Sequence, residues 1–425
     1  MNQHREIQVG ERPPLLQSVP LSLQHLFAMF GSTVLVPVLF KIDPAIVLLM
    51  NGIGTLLYLL LCRGKIPAYL GSSFAFLSPV FAVFAAGMSY EAALGGFIVT
   101  GLIFTLVALI IRFAGTGWLD VVFPPAAMGA IVAVIGLELV PVAAGMAGYI
   151  KPSDAGADWS INPDTVLIST ATLLIVIIGN VLFRGFLKII PILIAIVGGY
   201  LLAFLMGYVD FTAVSAAPWL QLPTRYTPQF EWSAVAVIAP AALVVIAEHI
   251  GHLIVTGNIV GKNLSKDPGL DRSLLGNGLS TIISGFAGST PNTTYGENIG
   301  VLAITRVYSV WVIGGAAVLA VFLSFFGKLA ALISTIPTPV MGGVSLLLFG
   351  VIASSGIRML VETKVDYAKT SNLILTSIVL VVGISGMSVT FGNFSMKGMA
   401  LATVLAIVLS LFFKVIEKLK LSNEA

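Results

Sequence analysis

Four carboxylates set in or beside otherwise apolar runs are the residues of this sequence best able to do chemistry: Glu138, Glu248, Glu297 and, at the edge of a run, Asp120. An ionisable group at membrane depth is costly, so by default it faces a cavity or a partner. Glu248 stands in Ala247-Glu248-His249-Ile250-Gly251-His252. On a helix Glu248 and His252 are i and i+4, share a face and can hydrogen-bond, whereas His249 points elsewhere and reads as a solvated or core-satisfied histidine. A carboxylate beside an imidazole in a low-dielectric pocket suits proton coupling, because burial disfavours the charged acid and the imidazole can take or relay its proton. Glu138 has no obvious partner in sequence and lies near the end of a run, so a structural role is expected for it.

Glu297 lies in GSTPNTTYGENIGVLAITR, residues 288–306, a run of small polar residues broken by Pro and Gly. Inside a bilayer, non-helical backbone survives only where protein buries it or where it lines a cavity. The stretch is therefore either a plain loop between spans or half of a ligand site. Together, Glu248 and Glu297 offer acceptors, the backbone amides near Phe74 and Gly296 offer donors, and Phe74 and Tyr295 offer flat apolar faces. A small planar ligand with alternating N–H donors and carbonyl acceptors, such as a nucleobase, complements that set. An anion does not, while a simple cation would leave the aromatics without a task. A metalloprotease reading is set aside because it needs H-E-x-x-H, and here the histidines are i and i+3 with the glutamate ahead of both. The single cysteine, Cys62, excludes an internal disulfide and a cysteine metal cluster. No metal, no cofactor beyond a coupling proton and no nucleic-acid partner are expected.

These residues must be positioned by helices in a membrane. Of 425 residues 57% are hydrophobic and 10% charged, far below the quarter charged that is usual for a soluble domain. The apolar runs are continuous and roughly twenty long rather than alternating, which points to helices and away from a β-barrel. The 43 glycines let such helices approach closely. Cutting at charges and Pro/Gly clusters gives fourteen spans, seven in residues 21–208 and seven in 232–414. Around them lie a tail at 1–20, an outer linker at 209–231 and a second tail at 415–425. Tyr149 to Pro163, with Lys151, Asp154 and Asp158, reads as a solvated outer loop. With both termini in the cytoplasm, seventeen of the 22 Lys and Arg fall on the inner side and five on the outer. Ending a half-span at Arg306 keeps that charge out of a span interior, where it would cost roughly 2.5 to 3.5 kcal/mol.

The two halves look related. The third span contains Gly71-Ser72-Ser73-Phe74-Ala75-Phe76 and the third of the second half contains Thr293-Thr294-Tyr295-Gly296-Glu297, each interrupting an apolar run with Ser/Thr, Gly and an aromatic. Because seven is odd, the second half runs through the membrane in the opposite sense. Corresponding broken helices in inverted halves mark a transporter's site near the midplane, with half-helix starts after Ser73 and Tyr295 aiming N–H groups inward. A channel-like pore and a membrane metalloenzyme are the rival classes.

Glu297-Asn298-Ile299-Gly300-Val301-Leu302-Ala303-Ile304-Thr305-Arg306 resembles the signature of the nucleobase-ascorbate transporter family, and Gln24-His25 resembles its second motif. The likeness runs from Glu11 to Lys418. It implies an all-α polytopic fold of fourteen spans in two inverted seven-span repeats, arranged as core and gate domains, with short antiparallel strands in the broken third and tenth spans. It implies a proton symporter of the bacterial inner membrane, with uracil as the base and a purine or xanthine as the alternative. Carried over by position, Glu248 and Glu297 would bind the base through side chains, and Phe74 and Gly296 through backbone amides. Tyr295 would pack nearby, His252 would join in proton coupling, and Gln24, His25, Ser73 and Asn298 would support the site. A homodimer embedded in lipid is implied too. Phe349 departs from the Tyr that the family pattern suggests, which puts a hydroxyl contact there in doubt.

Overall fold

The computed structural model describes residues 6–152, 155–391 and 394–421; Arg5 and Asp154, and the ends of both tails, lie outside them. Helices form where the apolar runs are long, and Pro, Gly and short polar residues set their ends. The first half comprises α1 (Leu15–Ala28), α2 (Phe30–Phe40), α3 (Pro44–Leu61), α4 (Leu77–Ala85), α5 (Tyr90–Ala114), α6 (Leu119–Val122), α7 (Pro125–Glu138), α8 (Val140–Met146), α9 (Pro163–Leu182), α10 (Pro191–Leu205) and α11 (Thr212–Ala216). The second comprises α12 (Trp232–Ile238), α13 (Ala241–Val260), α14 (Leu270–Ala287), α15 (Gly296–Thr305), α16 (Val310–Leu323), α17 (Gly327–Ser334), α18 (Thr338–Glu362), α19 (Thr370–Ile384) and α20 (Gly398–Lys418). Among the described residues eight helical stretches are long and apolar enough to cross a membrane, the first being α1 and α2 taken together. This is a polytopic, mostly helical membrane fold.

Local chemistry accounts for several boundaries. Asp43 caps α3 by accepting the Ala45 N–H at 2.8 Å, with Pro44 opening the helix. Asn162 does the same for α9, accepting from Asp164 at 2.9 Å ahead of Pro163. At the other end of a helix, α15 stops on Arg306 in the left-handed region, φ 56°.

Two departures from the sequence reading stand out. The first helix begins at Leu15, within the stretch assigned to a tail, and residues 6–14 ahead of it are tied to the rest of the chain: the Ile7 N–H donates to the Arg306 carbonyl at 3.0 Å, and the Tyr308 N–H to the Ile7 carbonyl at 2.8 Å. With Val9 buried, this strap fastens the chain just past α15. Second, β3 (Ser388–Phe391) and β4 (Phe394–Lys397) make a hairpin between α19 and α20.

Packing sorts the helices into two groups. In one, α5 lies along α14, and α3 lies along both α14 and α16, with α1 on α16. In the other, α7 packs on α18 and α19, α9 on α10 and α18, and α19 on α20. Helix α13 runs between the groups, touching α5 and α15 on one side and α7 and α20 on the other. Glycines permit the closest approaches: a Cβ on Gly136 would strike the α18 backbone at Phe349 and Ala353.

Candidate functional site

Both broken segments lie next to α13. β1 (Leu70–Ser72) and β2 (Asn292–Thr294) pair antiparallel, with Leu70 opposite Thr294, Gly71 opposite Thr293 and Ser72 opposite Asn292. All six residues are buried, as non-helical backbone at membrane depth must be. Several of their polar groups bond to α3 and α14. The Leu70 N–H donates to Thr55 Oγ1 at 2.9 Å, and Asn292 Nδ2 donates to the Met50 carbonyl at 2.8 Å and to Ser280 Oγ at 3.0 Å. Ser72 Oγ and Thr290 Oγ1 meet at 2.6 Å. Gly71 must be glycine, because a Cβ there would run into the Tyr295 ring.

After each strand the chain turns into a helix. Ser73 caps the 3-10 turn Phe74–Phe76 that leads into α4, its Oγ accepting the Ala75 N–H at 3.3 Å. Tyr295 stands in extended conformation ahead of α15, buried, with its N–H donating to the Tyr69 carbonyl at 2.9 Å. Gly296 and Glu297 open α15, and Asn298 on its first turn donates to His25 of α1, 3.2 Å to Nδ1 and 3.3 Å to the carbonyl. Gln24 is half-buried beside His25. Thus the α15 start, Gly296 to Asn298, is bonded to α1 and hydrogen-bonded through Tyr295 to the segment ahead of β1.

α13 supplies the second carboxylate. Glu248 and Glu297 are near enough to repel one another electrostatically, and His252 faces the Gly296 Cα with Nε2 3.4 Å from where a Cβ would be. The spacing puts Glu248 and His252 on one helical face, but the bond that forms is different: His252 Nδ1 lies 3.1 Å from Thr294 Oγ1, on β2. Glu248 Oε2 is buried and has no hydrogen-bond partner among the described residues. A buried acceptor left in this way loses its solvation, a cost of about 1–3 kcal/mol or more, unless a ligand donor reaches it. Phe74 and Phe349 pack edge to face, ring centroids 5.7 Å apart, so Phe349 adds an apolar wall to the side of the site formed by the 3-10 turn.

The other candidate residues fall elsewhere. His249 is core-satisfied as expected, with Nε2 2.8 Å from Ser273 Oγ and Nδ1 2.9 Å from Asn277 Nδ2. Glu138 has partners that were not obvious in the sequence, in keeping with the structural role expected for it. It accepts from Ser78 Oγ at 2.7 Å and from the Met399 N–H at 2.9 Å, tying α7 to α4 and to the start of α20. A cleft of about 500 Å³ lined by Lys41, Asp43, Gln221 and Thr224 contains neither Glu248 nor Glu297, so its size does not mark the site.

Sequence reasoning missed the polar stripe of α14: Ser273, Asn277, Ser280, Thr281 and Ser284, all buried. Its members bond His249, Asn292 and the carbonyls of Thr290 and Asn292, Ser284 Oγ to the Thr290 carbonyl at 2.6 Å and Thr281 Oγ1 to the Asn292 carbonyl at 3.0 Å. The signal was present, since those positions repeat at helical spacing along one face.

Residues 16–392 match a family described as a permease family. The chain is 69% identical over 421 residues to the "Uracil permease" of Paenibacillus larvae, covering 99% of each. It is 66% identical over 416 residues to the "Uracil permease" of Escherichia coli K12, covering 98% of this chain and 96% of that one. In fold it resembles SLC26A9 with TM-score 0.71 at 12% identity, over 95% of this chain and 66% of that longer one. It also resembles the transmembrane domain of the bicarbonate transporter BicA, TM-score 0.61 at 16% identity, over 96% and 99%.

Proposed function

The chain belongs to the nucleobase-ascorbate transporter family of permeases, and from that membership we propose that it imports uracil together with a proton across the bacterial inner membrane. One observation carries the site: Glu248 Oε2, buried without a partner among the described residues, beside the half-helix that starts at Gly296 and carries Glu297. Uracil presents two N–H donors and two carbonyls in one plane. In this reading the two carboxylates accept from its N–H groups, and the amides of Phe74 and Gly296 donate to its carbonyls. Tyr295 and Phe349 close the apolar sides, while Ser73, Gln24, His25 and Asn298 hold the segments that carry these groups.

The symport cycle uses the same parts. A proton taken from outside by Glu248 relieves its repulsion with Glu297 and readies the pocket for a neutral base. Loss of that proton to the inside, by way of His252, restores the repulsion and releases the base. The packing supports a core of α1–α5 and α12–α16 rocking against a gate of α6–α10 and α18–α20. In this proposal the fourteen spans form two inverted seven-span repeats with both termini cytoplasmic, and the protein is a homodimer in lipid.

Competition tests the substrate. Uptake of labelled uracil should be suppressed by excess unlabelled uracil and left nearly intact by xanthine or adenine. Suppression by a purine in preference to uracil would reassign the substrate within the family.

A further inference from the structure

Tyr58 and His249 are buried, titratable and take no direct part in holding the base, yet they belong to one continuous chain of side chains that begins at the site. His252 Nδ1 is 3.1 Å from Thr294 Oγ1, which is 3.4 Å from His249 Nδ1. His249 Nε2 is 2.8 Å from Ser273 Oγ, and Ser273 Oγ is 2.6 Å from the Tyr58 hydroxyl. Cys62 follows Tyr58 by one helical turn at the end of α3, and the charges of Asp271 and Arg272 act on its thiol. Cys62 ends α3 next to Arg63, and Arg272 is in the first turn of α14, so both lie at the end of the helices that the charge bias places inside. Ser273, Thr294, His249 and Tyr58 are all buried, and every link is a group that both donates and accepts.

We propose that His252, Thr294, His249, Ser273 and Tyr58 form the relay by which the co-transported proton leaves the site for the inner face. This rests on the proton-symport reading above. The transfers balance. Thr294 accepts a proton from His252 Nδ1 and passes its own to His249 Nδ1. The imidazolium so formed gives its Nε2 proton to Ser273, whose own proton passes to Tyr58, and Tyr58 releases one toward Cys62 and the inner end. One proton enters, one leaves, and His249 is left as the other tautomer.

Asn277 fits that switch. Its Nδ2 donates to His249 Nδ1 at 2.9 Å, while its Oδ1 is buried with no partner among the described residues. Turning the amide over presents Oδ1 to an Nδ1–H, so one side chain serves both tautomers. Other charged groups at the ends of the relay are Glu248 and Glu297 at the site and Asp271 and Arg272 at the exit. Purely structural glue for α3, α13, α14 and β2 requires the same bonds but no transfer, and the two uses separate experimentally.

The experiment compares wild type, Ser273→Ala, Ser273→Thr and Tyr58→Phe in liposomes loaded with a pH-sensitive dye. Three quantities are read: uracil binding, uracil–uracil exchange, and uracil-driven proton entry with net accumulation. The relay predicts that Ser273→Ala and Tyr58→Phe lose about tenfold or more of proton-driven accumulation and proton entry. Binding and exchange should stay within about threefold, and Ser273→Thr, which keeps the hydroxyl, should restore coupling. Undiminished coupling in both hydroxyl-deleted variants overturns the relay, as does a parallel fall of binding, exchange and coupling in both. Uracil entry without protons in wild type would instead defeat the symport reading itself.

Discussion

Glu297 and Glu138 show two uses of a buried carboxylate. Glu138 is spent on the Ser78 hydroxyl and the Met399 N–H, and its removal would strand both donors. Glu138→Ala should therefore lower stability by about 1–3 kcal/mol, read as a lower unfolding temperature in detergent, while leaving most uracil binding intact. Glu297→Ala should abolish binding with a smaller effect on unfolding; the reverse ranking would sink the site assignment. The difference was half legible in the sequence. A carboxylate within an apolar run announces itself, which is why Glu248 and Glu297 stood out. The partners of Glu138 did not, because Ser78 and Met399 lie 60 and 261 positions away and only tertiary packing brings them together. The same limit applies to His252: its helical spacing allowed a bond to Glu248, while its bond to Thr294, 42 positions away, depends on tertiary packing.

At the level of elements, the site depends on two strands of three residues each, held edge to edge inside helices. Such strands are too short to show alternation, and β1 is recognisable only as an interruption of an apolar run. The helices were far easier to read: α3, α5, α9, α15 and α18 follow the runs to within a few residues, because lipid exposure enforces continuous apolar sequence. The helix start at Leu15 was hidden by Pro20, which sits inside α1. The strand crossing also yields a sharp test at Gly71, where any Cβ meets the Tyr295 ring. Gly71→Ala should displace Tyr295 and the start of α15, reducing uracil affinity by about tenfold or more through misplacement of donors and acceptors. Equilibrium binding to purified protein checks this, and unchanged affinity would show that the strand crossing does not position the base. Gly300→Ala, on the same helix with open space around it, is the matched control and should bind normally.

Across the whole molecule, the division into two helical groups was the least legible feature, since which helix lies on which is decided by contacts between distant runs such as α5 with α14 and α7 with α18. What the sequence carried clearly was the long apolar runs that form helices and the polar interruptions that form β1 and β2. Phe74 against Phe349 and Ser78 against Glu138 both cross between the groups close to the site, so any relative movement of the groups must remake them. That geometry suits a carrier whose pocket changes as it turns, driven by a proton gradient. The most direct measurement is uptake of labelled uracil by purified protein in liposomes, with and without an imposed inward proton gradient. Proton symport predicts accumulation above the external concentration only with the gradient, collapsing when a protonophore is added. Equal accumulation with and without the gradient would contradict it.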